Sequence, residues 1–190
     1  MGPSHSASAQ QSLPSDFATR VNGANDALRQ GDLEQAVAGY EAAAEIDPDR
    51  EELIYNRGVA MYRRGDLTAA EEQFNRVAAS LDRELAAKAR FNAGNCRFAN
   101  AIELQKQDPQ AAIETLREAI DRYRSALSLD ANDTDARVNI ELAAELIKKL
   151  QAQQQQQQQQ QQEDSSNPQS DQQEQQQNQQ QQQEQHQPDR

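Results

Sequence analysis

The sequence predicts an all-α fold in which helical hairpins stack side by side into an α–α superhelix. Two observations carry this prediction: an internal repeat with an offset of 34 residues, and apolar residues at helical spacing within each copy. Gly31-Asp32-Leu33 recurs 34 residues later as Gly65-Asp66-Leu67, and at the same offset Tyr40 is matched by Phe74. A repeated helical pair cannot bury its apolar face alone, so neighbouring copies are expected to stack.

The first two hairpins follow from these turns. Gly31 suits a left-handed turn after the first helix, Asp32 suits the N-cap of the second, and Pro48 blocks continuation of that helix. Gly65-Asp66 plays the same part in the second hairpin. The predicted helices cover about 17–29, 33–46, 51–64 and 67–80.

The third hairpin is predicted to be elongated. From Gly94 to Ala119 there are 25 positions, against 12 from Gly58 to Ala70, an excess of 13. Asp108-Pro109 is a helix-start signal, with Asp as the cap and Pro at the first helical position. Six or seven extra residues on each side of this turn would lengthen both helices by about 10 Å.

A last helix without a partner is predicted at about 134–151, opened by Asp133-Thr134, and it is expected to cap the stack. Gln favours helix, so the run Gln153–Gln162 is a natural extension of it. From Gln151 to Arg190, 24 of 40 residues are Gln, too polar to offset the entropy cost of ordering a packed structure.

The 34-residue hairpin pattern resembles the tetratricopeptide repeat (TPR). The positions that match the family motif are Gly58 and Gly94; Ala36, Ala70 and Ala119; Tyr40, Phe74 and Tyr123; Ala43 and Ala126; and Pro48. The resemblance implies three TPR hairpins, the third elongated, plus a C-terminal capping helix. The expected organisation is a disordered segment 1–16, a TPR domain 17–151 (repeats about 17–50, 51–84 and 87–133, capping helix 134–151) and a disordered Gln-rich tail 152–190.

Composition argues against several functions. The net charge is −12, and six acids against one Arg in the tail leave about −7 for the rest, which disfavours nucleic acid and anionic membranes as partners. No apolar run is long enough to span a bilayer. His5 and His186 lie in the polar ends, and Cys96 falls on a predicted helix as a small buried hydrophobe. The sequence therefore predicts neither an enzyme nor a metal or cofactor site.

Each predicted first helix carries an apolar residue followed by asparagine at the same repeat position. These asparagines are Asn22, Asn56, Asn92 and Asn139. The TPR resemblance implies that such helices line the concave surface, where a row of carboxamides would donate to and accept from the main chain of an extended peptide. The alternative is that the asparagines bond to neighbouring helices and only stabilise the stack.

Spacing places further side chains beside this asparagine row. They are Asn25, Asn95, Tyr55, Tyr62, Phe91, Phe98, Arg29 and Arg63. Aromatic side chains among scattered polar groups are typical of a peptide groove. For Tyr62 and Phe98, filling of the interface between successive helices is the simpler interpretation.

One TPR subtype, the co-chaperone receptor for C-terminal tails, uses two Asn and several cations to hold a carboxylate. Asn25, Asn56 and Lys88 sit at matching places, but Val21 and Asn92 stand where the subtype has cations. The loss of these charge-assisted bonds counts against this function.

Residues 91–162, with FNAGN, the long hairpin and the abrupt Gln run, look like the TPR regions of bacterial aerotolerance (Bat) proteins. This resemblance implies an adaptor in a cell-envelope complex, periplasmic or envelope-associated, with another envelope protein of the same operon as partner. A cytoplasmic location, a structural spacer without a groove ligand, and self-association through the Gln run remain alternatives.

Overall fold

The computed structural model describes the backbone of residues 14–165 and the side chains of residues 16–162. Over this range the protein forms seven α-helices and no strand. They are α1 (Pro14–Gln30), α2 (Leu33–Ala44), α3 (Glu51–Arg64), α4 (Leu67–Val77), α5 (Arg83–Leu104), α6 (Pro109–Leu129) and α7 (Thr134–Ser165). The predicted all-α architecture is confirmed.

The helices pack as three antiparallel pairs, α1 with α2, α3 with α4 and α5 with α6, and successive pairs meet through α2 with α3 and α4 with α5. The contacts divide the chain into two compact units, Met1–Ile147 and Lys148–Arg190. The hairpins all belong to the first unit, together with residues 134–147 of α7. No helix of the described range combines the length and hydrophobicity needed to cross a membrane.

The turns of the first two hairpins differ in their caps. Gly31 and Gly65 both adopt the predicted left-handed conformation, with φ of 82° and 95°. Asp32 accepts a hydrogen bond from the Gln35 amide and so caps α2. Asp66 instead pairs with Arg64 and makes no side-chain bond to the amides of α4. The second N-cap therefore departs from the prediction, because the neighbouring guanidinium competes for the carboxylate.

Small residues set how closely the two helices of each hairpin approach. A Cβ built on Gly58 would lie 2.9 Å from Phe74, and one on Gly94 would lie 2.6 Å from Tyr123. The first hairpin has Ala24 at this position, and there the facing helix supplies the glycine, since a Cβ on Gly39 would lie 2.9 Å from the Ala24 Cβ. The apparent mismatch of the first repeat is thus compensated across the interface.

The third hairpin is elongated as predicted. Helices α5 and α6 have 22 and 21 residues, against 14 and 11 in α3 and α4. Asp108 accepts a hydrogen bond from the Ala111 amide and Pro109 occupies the first turn of α6. The extra residues continue helical hydrogen bonding on both sides of this turn, so the insertion extends the hairpin rather than forming a loop.

The ends of the helical region lie further out than the predicted boundaries. Helix α1 begins at Pro14 instead of residue 17, and α7 continues past residue 151 to Ser165, through the Gln153–Gln162 run that was predicted as its extension. The helix propensity of the Gln run accounts for this extension. Most of the segments 1–16 and 152–190, which the sequence predicts to be disordered, lies outside the described residues.

Candidate functional site

The site that the structure singles out is a cavity of about 660 Å³ between α3, the start of α5 and the turn between α6 and α7. Helix α5 supplies Arg83, Glu84, Ala87, Lys88, Phe91 and Asn92. The remaining walls are Tyr55 of α3 and Leu129, Asp130 and Asp133 at the α6–α7 turn. A lining that combines apolar and polar side chains, together with this volume, is characteristic of ligand sites.

The start of α5 positions one side of the cavity. Asp82 caps the helix by accepting hydrogen bonds from the Glu84 and Leu85 amides. The helix then places residues three and four apart on one face, so that Glu84, Lys88 and Phe91 point the same way. The Lys88 ammonium lies 2.5 Å from a Glu84 carboxylate oxygen, and this hydrogen bond raises the pKa of Lys88.

Arg83 fastens the opposite wall to α5. Its Nε donates to the Leu129 carbonyl at 2.8 Å and its Nη2 to the Ser128 carbonyl at 3.3 Å. These carbonyls end α6, where helical partners are no longer available to them. The guanidinium thus satisfies the end of α6 and holds Leu129 against the cavity.

Tyr55 forms the third wall, packed on Phe74 with ring centroids 5.7 Å apart. Its hydroxyl oxygen accepts a hydrogen bond from the Asn92 amide at 2.8 Å. Burial raises the pKa of Tyr55, while the Asn92 hydrogen bond and Lys88 lower it. The hydroxyl stays protonated at neutral pH, and its hydrogen is left for an acceptor in the cavity.

A chain of side-chain hydrogen bonds leads from this wall toward α7. Asn95 donates to Asn92 at 3.2 Å, and the Asn95 carbonyl oxygen accepts from Asn139 at 3.1 Å and from the Tyr123 hydroxyl at 2.9 Å. Two asparagines of the predicted row, Asn92 and Asn139, are therefore joined through Asn95. These bonds correspond to the alternative in which the asparagines hold neighbouring helices together.

The other two members of the row are placed differently. Asn22 is exposed on α1 and Asn56 is half-buried on α3, and no side-chain hydrogen bond reaches either one from the rest of the described chain. Their carboxamides are available to a ligand, but they do not line the cavity.

Asn25 and Asn95 share a structural role that sequence reasoning missed. Asn25 accepts a hydrogen bond from the Tyr40 hydroxyl at 2.6 Å, as Asn95 does from the buried tyrosine of the third hairpin. The second hairpin has Val59 and Phe74 at the same two positions. The two positions therefore change together: hairpins one and three have asparagine with tyrosine, and hairpin two has two apolar residues. This joint change in the sequence indicates that the two side chains are partners.

The remaining predicted residues surround other parts of the stack. Tyr62 packs against the core cluster that runs from α1 to α5, and Phe98 against the smaller cluster around Tyr123, as expected for side chains that fill helix interfaces. Phe91 reaches both the cavity and the Tyr123 ring, with centroids 5.6 Å apart. Arg29 is exposed and paired with Asp26, and Arg63 is exposed with one guanidinium nitrogen 3.5 Å from the Leu28 carbonyl.

Repeat spacing together with the TPR resemblance predicted that Tyr55, Phe91 and Asn92 share one inner face, and all three line the cavity. The α6–α7 turn was missed because it lies about 40 residues further along the chain. The spacing of residues within α5 does not indicate which distant loop packs beside it to complete the cavity. Lys88 and Glu84 carried a detectable signal, since they precede Asn92 by four and eight residues on the same helix face.

The fold defined by these helices is that of a TPR superhelix, a class of helical-repeat proteins. Residues 24–65, which run from α1 through α2 and α3, match the family of TPR repeats. A comparison with curated protein sequences finds no match.

Solved TPR domains resemble the structure at low sequence identity. The first TPR of Spaghetti (RPAP3) bound to the HSP90 peptide SRMEEVD is 24% identical, with a TM-score of 0.56, covering 70% of this chain and 94% of that one. The Sgt2 TPR domain from Aspergillus fumigatus gives 16% identity and a TM-score of 0.58, covering 80% and 88%. The Yersinia enterocolitica chaperone SycD, in complex with a peptide of the translocator YopD, gives 15% and 0.52, covering 75% and 97%. These similarities establish the fold.

Proposed function

We propose that the protein is a non-catalytic interaction scaffold that binds an extended segment of a partner protein along its concave groove. The observation that carries this proposal is the cavity beside α5, where Tyr55 and Phe91 offer apolar surface next to hydrogen-bonding groups. Such a cavity accepts one anchoring side chain of a peptide, and anchors of this kind contribute most of the binding energy in peptide recognition.

The main chain of the bound segment would be held by carboxamides and by Tyr55. The free Tyr55 hydroxyl hydrogen suits a peptide carbonyl, and the unbonded carboxamide of Asn56 can serve both a carbonyl and an amide. Asn92 contributes after exchanging its bond to Tyr55 for one to the peptide. A side chain that must give up a hydrogen bond within the protein gains little free energy by bonding to the peptide. Asn56 is therefore expected to contribute more to the affinity than Asn139, which already bonds to Asn95.

Selection of random twelve-residue peptides on the folded chain tests the proposal. Affinities of the selected peptides are then measured for wild type, Phe91→Ala and Phe98→Ala. Both phenylalanines lie half-buried on α5 and pack on the same core, but only Phe91 lines the cavity. Loss of about tenfold in affinity is expected for Phe91→Ala alone.

Failure to select any peptide, or equal effects of the two substitutions in proteins that melt alike, would count against the groove. The asparagine mechanism is tested separately by calorimetry with Asn56→Ala plus Asn92→Ala. Unchanged affinity in that variant would reject the role of the carboxamides while leaving the cavity as anchor.

The co-chaperone type of function, capture of a partner's C-terminal carboxylate, has one cation in its favour. Lys88 is that cation, and it is paired with Glu84. Because the pair is exposed and therefore weak, Lys88 could exchange Glu84 for a carboxylate of the partner. One lysine, however, offers less attraction for a carboxylate than the several cations of that subtype. Amidation of a selected peptide's C-terminus decides the matter: unchanged affinity supports binding of an internal segment, and abolished affinity supports tail capture.

We further propose that this scaffold works in a bacterial cell-envelope complex of the aerotolerance type, with another envelope protein as partner. The support is the resemblance of residues 91–162 to the TPR regions of Bat proteins. Affinity purification from the native host, with Phe91→Ala as the matched bait, tests it. Recovery of envelope proteins by wild type alone is expected, whereas recovery of cytosolic proteins would favour a cytoplasmic adaptor.

A structural spacer with an empty groove is the third candidate for the stack, and failure to select any peptide would favour it. Light scattering of the full chain and of a variant lacking residues 151–190 tests self-association through the Gln run. Loss of an oligomer on removal of the tail would assign the association to that segment.

A further inference from the structure

The α6–α7 turn contributes two carboxylates to the cavity lining, and each can accept further hydrogen bonds. Asp130 accepts a hydrogen bond from the Asn132 amide at 3.0 Å, and Asp133 accepts one from the Ala136 amide at 2.9 Å. Each of these bonds uses the Oδ1 atom. Among the described residues no cationic side chain pairs with either carboxylate, so both retain acceptor positions toward the cavity.

The cations of the cavity, by contrast, are already engaged. Two nitrogens of Arg83 donate to the carbonyls at the end of α6, and Lys88 pairs with Glu84. The lining holds three carboxylates and two cations, a formal charge of −1. Counted over residues 16–162, 25 acids against 18 bases give −7, so the surrounding field also favours a positive ligand.

The cavity also has apolar lining. Tyr55, Ala87, Phe91 and Leu129 supply it, and the volume of about 660 Å³ exceeds that of a single side chain. Room therefore exists for one apolar side chain and for part of an adjacent residue.

We propose that the cavity binds an apolar side chain of the partner segment together with a neighbouring lysine or arginine that pairs with Asp130 and Asp133. This inference rests on the proposed peptide-binding function and specifies its ligand. It distinguishes this groove from one that takes acidic tails, because an acidic residue in that position would face two unpaired carboxylates.

The experiment uses the double variant Asp130→Asn plus Asp133→Asn. Asparagine keeps the Oδ1 acceptor of both turns and is an equally good N-cap, so the α6–α7 turn is preserved. The control is Asp32→Asn plus Asp108→Asn, which removes the same charge from two N-caps that do not line the cavity. Random twelve-residue peptides are selected on wild type and on both double variants.

Wild type and the control are expected to enrich an apolar residue adjacent to Lys or Arg. The Asp130→Asn plus Asp133→Asn variant should retain the apolar preference and lose the basic one. For a peptide selected on wild type, its affinity should fall at least about tenfold in this variant. That affinity should also lose most of its dependence on salt.

Enrichment of acidic residues by wild type, or equal basic enrichment by both double variants, would overturn the inference while leaving peptide binding intact. Selection of no peptide by any of the three proteins would instead refute the proposed function, and the inference with it.

Discussion

The hydrogen bond from Tyr40 to Asn25 links the two helices of the first hairpin at a single buried hydroxyl. Asn25→Val leaves that hydroxyl without an acceptor, and Tyr40→Phe leaves the half-buried carboxamide without its donor. Each single substitution is expected to lower the free energy of unfolding by about 1–2 kcal/mol. The double variant recreates the Val59–Phe74 pair of the second hairpin and should recover most of the loss. Urea denaturation of the four proteins measures this coupling, and additive losses would contradict it.

Cys96 is buried, and burial raises the pKa of its thiol from 9.0 to about 12. Below pH 9 the thiol is protonated in both the folded and the unfolded chain, so its contribution to stability is constant. Above pH 9 the unfolded chain releases the proton and the folded chain does not, so stability falls as pH rises toward 12.

Between pH 9 and pH 10 this linkage is expected to remove about 1 kcal/mol from the free energy of unfolding. Urea midpoints at pH 8, 9 and 10, compared for wild type and Cys96→Ala, provide the measurement. The substitution should reduce the pH dependence, whatever its constant effect on stability. Parallel curves for the two proteins would show that the thiol ionises equally in both states.

At the scale of helices, an ion-pair network joins the second hairpin to the third. The nearly buried Glu71 carboxylate of α4 lies 2.8 Å from Arg97 of α5 and 3.8 Å from Arg122 of α6, and Arg97 also pairs with Glu118 at 3.0 Å. Because Arg97 and Arg122 are one-third to two-fifths exposed, solvent screens part of the interaction. The network acts as a clamp at the junction where the elongated hairpin begins.

Glu71→Gln is expected to lower the free energy of unfolding by about 1–2 kcal/mol, because it removes the nearly buried carboxylate from Arg122 and leaves Arg97 with only its more exposed partner Glu118. Glu72→Gln, at the neighbouring exposed position, is the control and should change stability by less than about 0.5 kcal/mol. Thermal denaturation of both variants at low and moderate salt checks this. Equal effects of the two substitutions would show that the clamp contributes only through net charge.

The elements themselves were largely predictable from sequence, and the reason is local. Left-handed glycines, an aspartate cap and Asp108-Pro109 act within one turn of chain, so their positions fix the hairpins. The cavity was less predictable, because its Asp130 wall depends on how the α6–α7 turn closes against α5. Asp66 shows the same limit, because its carboxylate pairs with Arg64 instead of capping α4, and helical spacing does not predict this ion pair.

At the scale of the whole stack, the helices pack most extensively within their own hairpin, and each hairpin meets the next through α2 with α3 and α4 with α5, as in other helical repeats. Gly94 tests whether the hairpins unfold separately. A Cβ there would lie 2.6 Å from the ring of fully buried Tyr123, so Gly94→Ala is expected to cost about 2–3 kcal/mol by overpacking. Gly23→Ala on α1 meets nothing within 4 Å and should instead stabilise its helix by about 0.5–1 kcal/mol.

Hydrogen exchange followed by mass spectrometry distinguishes local from global effects of these two changes. If stability is a sum of repeat and interface contributions, Gly94→Ala should speed exchange in α5 and α6 and leave α1 and α2 nearly unchanged, and Gly23→Ala should slow exchange in α1 alone. A uniform change across all described helices would mean that the three hairpins unfold as one cooperative unit. In that case binding at the cavity would stabilise the first hairpin as strongly as the third, because ligand linkage acts on the whole unit that must unfold.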